Sequence, residues 1–241
     1  MNSDEIIQKI QAVKLWYHSI DLCGHITPGM LSISQLQERA ELIPPDLTGK
    51  SVLDIGAWDG YFSFLAEQRG ASRVLAIDSL SFGAGGKQAG VEKLKDQSAD
   101  GFRVAKEILG SKVEYRMMDL YDLEELDETF DIVFLFEVHH HLWDPILGLR
   151  IVSEKCRECL LIDGDVLMTP LKILVPDTFD PTSAWRLSEG CLMTLLNRFG
   201  FSNIIPASIA RTSIFSLGPI SMDSGLMLSF ATGRAFLRCY K

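Results

Sequence analysis

The sequence has no excess of positive charge. Its 241 residues carry 23 Lys and Arg against 32 Asp and Glu, which gives a formal net charge of −9 and a pI near 5.0. Proteins that bind nucleic acid gain most of their affinity from basic side chains that neutralise phosphates. The charge balance therefore argues against nucleic acid as the main partner.

Long hydrophobic runs are also missing. No uninterrupted apolar stretch reaches the roughly 18 residues needed to cross a bilayer, and the opening MNSDEIIQKIQAVK lacks the apolar core and cleavage site of a secretory leader. We therefore expect a cytoplasmic protein without membrane association. The five scattered cysteines fit reduced thiols better than a disulfide framework, and the CxxC of Cys156 and Cys159 has no second pair to complete a zinc site.

What is present is typical of one compact α/β protein, with 47% hydrophobic and 23% charged residues. Apolar residues recur at helical spacing before residue 17, and a second helix is expected at 34–42. Together they predict an N-terminal helical cap, residues 1–49. From residue 50 strands alternate with helices, which predicts an open, doubly wound, Rossmann-like sheet. The predicted strands are 51–55, 73–77, 112–117, 130–136, 159–162, 201–207 and 234–240; the predicted helices are 61–69, 102–109, 145–155 and 189–199; and a flexible loop is expected at 81–90.

Ligands of such sheets bind beyond the carboxyl ends of the strands, so the loops there are the candidate site. The first strand leads into Asp54-Ile55-Gly56-Ala57-Trp58-Asp59-Gly60, where the glycines allow a tight turn and close approach of the backbone to a ligand. A plain strand-to-helix turn is the alternative, since the G-x-G-x-x-G spacing of dinucleotide sites is lacking. The second strand ends at Asp78, whose carboxylate suits the two hydroxyls of a ribose.

Together, VLDIGAWDG, the aspartate after the second strand and FDIVFLFEVHHHLWDP resemble the motifs of class I S-adenosylmethionine-dependent methyltransferases. WYHSIDL, TPG and HLWDP are similar to the group that includes tRNA wobble-uridine methyltransferases and related small-molecule enzymes. The resemblance covers about residues 15–165. It implies S-adenosylmethionine as cofactor and a seven-stranded sheet with an antiparallel last strand, in a methyltransferase domain spanning 50–241.

The resemblance also implies where the cofactor lies. The turn after the first strand would surround its methionine part, Asp78 its ribose, and Asp119 with Leu120 its adenine. Ala57-Trp58-Asp59 departs from the G-x-G-x-G of many members, so the resemblance implies the cofactor rather than its detailed pose in the turn. The expected cofactor-binding residues are Asp54, Gly56, Ala57, Trp58, Gly60, Asp78, Ser79, Asp119, Leu120 and Glu137.

Three consecutive histidines, His139, His140 and His141, follow the fourth strand, where a methyl acceptor would lie. An imidazole is suited to removing a proton from a hydroxyl as it attacks the methyl carbon, and His141 is the preferred base. Neighbouring residues of an extended segment point to opposite sides, which disfavours a shared metal ion. Packed or solvated histidines without a catalytic role are the structural alternative.

Aromatic side chains suit the wall of a pocket for a planar acceptor. The candidates are Trp16, Tyr17, His18 and Trp185, with ordinary core packing as the alternative for the two tryptophans. The hypothesis is O-methylation of a small molecule, with a histidine as general base, in secondary metabolism. A tRNA wobble-uridine methyltransferase and a non-catalytic cofactor-binding member are the rivals, and the sequence leaves the oligomeric state open.

Overall fold

A single large mixed sheet organises the chain. The computed structural model describes residues 1–79, 98–177, 183, 185–206, 215–216, 220–221, 227–228 and 231–241. The helices are α1 Ser3–Ala12, α2 Ile33–Ala40, α3 Tyr61–Gln68, α4 Ser98–Leu109, α5 Pro145–Lys155 and α6 Glu189–Arg198. The strands are β1 Asp21–Leu22, β2 His25–Ile26, β3 Ser51–Ile55, β4 Arg73–Asp78, β5 Glu114–Met117, β6 Phe130–Phe136, β7 Cys156–Met168, β8 Leu174–Pro176, β9 Trp185–Leu187, β10 Asn203–Pro206, β11 Phe215–Ser216, β12 Ile220–Ser221, β13 Met227–Leu228 and β14 Ala231–Tyr240.

The order of strands in the large sheet is β5-β4-β3-β6-β7-β14-β10. The strands from β5 to β7 run parallel, with β3 paired to both β4 and β6. β14 runs antiparallel between β7 and β10, and the short β11 also pairs with it. The predicted seven-stranded, Rossmann-like sheet with an antiparallel last strand is confirmed.

The central strands form where the sequence is apolar on both faces. Val52, Leu53 and Val133 are buried, as parallel strands covered on both sides require. α5 begins where Asp144 accepts a hydrogen bond from the Leu147 N–H at 2.9 Å, with a proline in the first turn. β7 is much longer than the predicted 159–162, because β14 pairs with it residue by residue from Tyr240 to Ala231.

The N-terminal segment packs on the sheet rather than standing apart. α1 ends at Ala12, short of the predicted residue 17, and the indole N–H of Trp16 donates to the carbonyl of Ile10 at the helix end. Arg69 and Arg238 donate to carbonyls at the end of α2, which fixes that helix against α3 and β14. Because the N-terminal segment and the sheet share one hydrophobic cluster, the division at residue 50 stays a prediction.

The cysteine pair lies in the core at the start of β7. Burial raises the pKa of the Cys156 thiol to about 12 and that of Cys159 to about 11, so both stay protonated and unreactive at neutral pH. The predicted loop at 81–90 lies outside the described residues. Within the described ranges, no helix combines the length and the apolar character needed to span a membrane.

Candidate functional site

The turn after β3 is held in a shape that favours glycine at two positions. Gly56 and Gly60 have φ of 77° and 88°, and Trp58 also has a positive φ of 46°. The N–H groups of Gly56 and Ala57 both donate to the carbonyl of Ile77 at the end of β4. A Cβ at Gly56 would lie 2.4 Å from Cγ2 of Val138, so the turn lies tightly against the segment that follows β6.

Three buried carboxylates surround this turn. Asp54 accepts a hydrogen bond from the Ser63 hydroxyl at 2.6 Å, and Asp78 accepts one from the Trp58 N–H at 2.6 Å. Asp59 accepts two, from the N–H groups of Tyr17 and His18. Burial raises the pKa of Asp54 to about 6 and those of Asp59 and Asp78 to about 7, and the negative charge of Asp78 contributes to the shift at Asp59.

These carboxylates fit a ligand that brings positive charge and hydroxyl donors. Among the described residues, none of the ion pairs involves Asp54, Asp59 or Asp78, although all three are almost fully buried. Buried carboxylates without a cation are costly, and a ligand that carries a sulfonium, an ammonium and a ribose diol supplies both missing charge and missing donors. The residues present therefore fit S-adenosylmethionine.

The residues expected at the adenine lie beside the end of β5. The Ser79 hydroxyl donates to Oδ2 of Asp119 at 3.1 Å, and Oδ1 of Asp119 accepts from the Tyr121 N–H at 3.1 Å. Asp119 thereby begins a short 3₁₀ helix, 120–125, while the Leu120 side chain is buried in the core below α5. β4 and β5 thus bring Ser79 and Asp119 together next to Asp78, and their contact with an adenine stays a prediction.

The histidines do not form the extended segment expected from the sequence. Residues 139–141 make a 3₁₀ turn, with His139 and His140 buried and His141 half-buried. Burial lowers the pKa of His139 to about 4 and holds that of His140 well below its usual value, so both rings are neutral. Across the described residues, no group of three or more His, Cys, Asp or Glu side chains is arranged to hold a metal ion.

Glu137, expected to contact the cofactor, takes part in a buried charge cluster. Its φ is 59°, and its carboxylate pairs with the guanidinium groups of Arg39 from α2, at 2.8 Å, and Arg234 from β14. Asp163 of β7 pairs with the same two arginines. Sequence reasoning missed Arg39, Asp163 and Arg234, since no local pattern shows that three distant elements meet. A cofactor contact for Glu137 stays a prediction.

Two of the four aromatic candidates lie between the turn and the charge cluster. The Tyr17 ring lies 5.3 Å from that of Trp58, and burial together with Glu137 raises the Tyr17 pKa to about 12. His18 is buried beside it, with its pKa lowered to about 3. Trp16, in contrast, is a core residue between α1 and α4, which corrects its expected place in the pocket.

Trp185 lies on β9, next to the histidine turn. Its indole N–H donates to the carbonyl of Trp143 at 2.9 Å, and the nearby Ser183 hydroxyl donates to the carbonyl of His140 at 2.5 Å. These bonds attach β9 to the turn that carries His141. Trp185 therefore stays a candidate for the acceptor wall.

Comparison with known proteins gives matches over most of the chain. A family profile described as "Methyltransferase domain" matches residues 53–157. The ubiquinone biosynthesis O-methyltransferase of Pseudomonas syringae pv. tomato is 34% identical over 211 residues, which cover 86% of this chain and 75% of that protein. The tRNA U34 carboxymethyltransferase of Pseudomonas putida strain W619 is 28% identical over 179 residues, 70% of this chain and 51% of that protein. The chain spans about half the length of such tRNA-modifying relatives.

Solved structures share the fold at low sequence identity. The N-terminal domain of EvdMO1, crystallised with SAH and D-fucose, superposes with a TM-score of 0.63 at 15% identity, covering 98% of this chain and 97% of that one. An S-adenosylmethionine-dependent methyltransferase from Mesorhizobium loti gives a TM-score of 0.52 at 15% identity, with 84% and 97% coverage. These likenesses concern the architecture of the sheet and its helices.

Proposed function

Because this chain belongs to the class I S-adenosylmethionine-dependent methyltransferases, we propose that it methylates an oxygen atom of a small molecule. The O-methyltransferase relative, matched over 86% of the chain, favours this acceptor class. The net charge of −9 favours it too, since a polyanion would be repelled. A tailoring step of secondary metabolism is the setting we expect.

The buried carboxylates of Asp54 and Asp78 support the cofactor site most directly. The bound cofactor supplies an electrophilic methyl group on sulfur. Asp78 would accept hydrogen bonds from the ribose hydroxyls, and Asp54 would complement the positive charge of the cofactor. Ser79 and Asp119 lie next to Asp78, where the adenine is expected.

His141 supports an oxygen acceptor. Of the three histidines it alone is not buried, whereas its two neighbours are held neutral by burial. It can take the hydroxyl proton as the oxygen forms its bond to the methyl carbon and the carbon–sulfur bond breaks. Tyr17, His18 and Trp185 would exclude water and align the acceptor, and alignment supplies much of the rate in such a displacement.

Calorimetric titration with S-adenosylhomocysteine tests the cofactor site. We expect binding by the wild type and at least tenfold weaker binding by Asp78→Ala, because a charged acceptor of hydrogen bonds is lost. Unchanged affinity in the variant would contradict the role of Asp78. Labelled methyl transfer into a panel of phenols and catechols then tests the acceptor class, and no transfer to any small molecule would overturn it.

The base is tested by comparing His141→Ala with His25→Ala, since His25 is a histidine on β2 whose ring contacts the Ser3 hydroxyl. We expect lower turnover in the first variant, with cofactor affinity retained, and normal turnover in the second. Full activity of His141→Ala would reject the base.

Modification of a tRNA wobble uridine is the second candidate, which the tRNA U34 relatives favour. Binding of total tRNA, measured at low and high salt, separates the two candidates. Tight, salt-sensitive binding and labelled methyl transfer to tRNA would favour the tRNA enzyme. Cofactor binding without transfer to small molecules or tRNA would favour a non-catalytic member.

A further inference from the structure

We propose that Asp59 is a positioning residue, which fixes Tyr17 and His18 of the acceptor wall to the cofactor-binding turn. The inference deepens the proposed function and rests on it. Asp59 itself faces the N-terminal segment, whereas its neighbour Trp58 faces Asp78. Two consecutive residues of one turn thus face the two halves of the site.

The contact between the turn and the N-terminal segment is made by one oxygen atom. Oδ2 of Asp59 accepts hydrogen bonds from the N–H groups of Tyr17, at 2.5 Å, and His18, at 2.8 Å. Asp59 is fully buried, so water does not compete for that oxygen. Hydrogen bonds to an ionised carboxylate are about twice as strong as neutral ones, so the contact is strongest above the Asp59 pKa of about 7. Here two such bonds join segments about 40 residues apart.

The other oxygen of Asp59 is confined by α4. Among the described residues, Oδ1 has no hydrogen-bond partner, and a Cβ added at Gly101 would lie 2.3 Å from it. The first turns of α4 therefore leave room for the carboxylate because residue 101 is a glycine. The carboxylate is held between α4 on one side and the backbone of Tyr17 and His18 on the other.

The position of Tyr17 follows from this contact. Its ring lies 5.3 Å from the Trp58 ring, and the Trp58 N–H donates to Asp78, the expected ribose ligand. A ligand that orders Trp58 at Asp78 will therefore also order Asp59 and, through it, the backbone of Tyr17. Cofactor binding should complete the acceptor wall, so the cofactor binds before the acceptor.

Hydrogen exchange measured by mass spectrometry on peptides covering residues 17 and 18 tests the contact, with and without S-adenosylhomocysteine. Asp59→Asn removes the charge from the acceptor. Gly101→Ala keeps the carboxylate but pushes it out of place, in a helix that alanine otherwise favours. Asp131→Asn is the matched control, because Asp131 also accepts a backbone N–H, that of Ser51, in a different part of the sheet.

In the unliganded protein we expect the amides of Tyr17 and His18 to exchange about tenfold faster in Asp59→Asn and Gly101→Ala than in the wild type. Peptides of β6 should be unchanged, which separates a local effect from a general loss of stability. In the wild type the ligand should slow exchange at residues 17 and 18. In both variants it should still bind, within about threefold of the wild-type affinity, but no longer slow that exchange.

Exchange at Tyr17 and His18 that equals the wild type in both variants would refute the contact. Ligand protection that persists there in both variants would refute the coupling. Failure of the wild type to bind S-adenosylhomocysteine would instead refute the proposed function and the coupling with it, while the unliganded comparison would still decide whether Asp59 holds the segment.

Discussion

Replacing Asp78 with asparagine should stabilise the unliganded protein while removing its cofactor affinity. Burial raises the pKa of Asp78 from 3.8 to about 7, so the folded state prefers the protonated carboxyl. Asparagine keeps an oxygen to accept the Trp58 N–H but carries no charge to bury. The buried charge of Asp78 lowers the stability of the unliganded protein but is available to bind a ligand.

The size and the sign follow from the pKa shift. Three pKa units at about 1.4 kcal/mol each put the cost of ionising Asp78 in the folded state at about 4 kcal/mol. The pKa of Asp78 is higher in the folded state than in the unfolded state. The stability that the protonated Asp78 side chain contributes is therefore fully present below pH 4 and is lost as the pH rises through 7. We expect Asp78→Asn to match the wild type near pH 4 and to exceed it by about 2 kcal/mol or more at pH 8.

Thermal unfolding of the unliganded proteins between pH 4 and 8 measures this difference. For a chain of this size about 2 kcal/mol corresponds to a rise in Tm of about 4–8 °C. Asp131→Asn serves as the control, and its effect on stability should have the opposite sign. Hydrogen bonds from Ser51 and the charge of Arg157 lower the Asp131 pKa to about 2, so the folded state prefers the ionised carboxylate there. If Asp78→Asn is less stable than the wild type at pH 8, or if the difference in stability does not grow with pH, the buried charge of Asp78 does not destabilise the folded state.

Two further substitutions test the buried charge cluster and the turn after β3. Arg39→Ala should lower the free energy of unfolding by about 3–5 kcal/mol, because it leaves the buried Asp163 carboxylate and the partly buried Glu137 carboxylate with Arg234 as their remaining arginine partner. Arg39→Lys should restore only part of the loss, and urea titration measures both variants. Gly56→Ala should weaken S-adenosylhomocysteine binding more than tenfold, since a positive φ costs about 1–2 kcal/mol and the new Cβ would clash with Val138. Gly24→Ala, with a similar φ and open space, is its control in calorimetry and should leave the affinity unchanged.

Local sequence patterns predicted the core of the sheet well. β3 and β6 lie at the predicted residues, because each is a short apolar run bounded by polar or turn residues. α5 was predicted from Asp144 and Pro145, which act on the first helical turn alone. The fold class followed from the alternation of strands and helices, and the cofactor from the resemblance of the motifs to those of class I methyltransferases.

What the sequence did not predict depends on contacts between distant segments. The length of β7 is set by its pairing with β14, and the end of α1 by the indole of Trp16. The role of Asp59 was missed because its partners are backbone N–H groups, which carry no residue type to recognise. The 3₁₀ turn of the histidines depends likewise on packing against β7 and β9.

The position of β14 affects how the protein can be made. Of the strands in the large sheet it leaves the ribosome last, yet it must enter between β7 and β10. Until it does, β7 presents a long edge of unpaired N–H and C=O groups, and such edges favour aggregation of nascent chains. Slow translation or chaperone binding between the synthesis of β10 and that of β14 should therefore affect the yield of folded protein more than the same delay earlier.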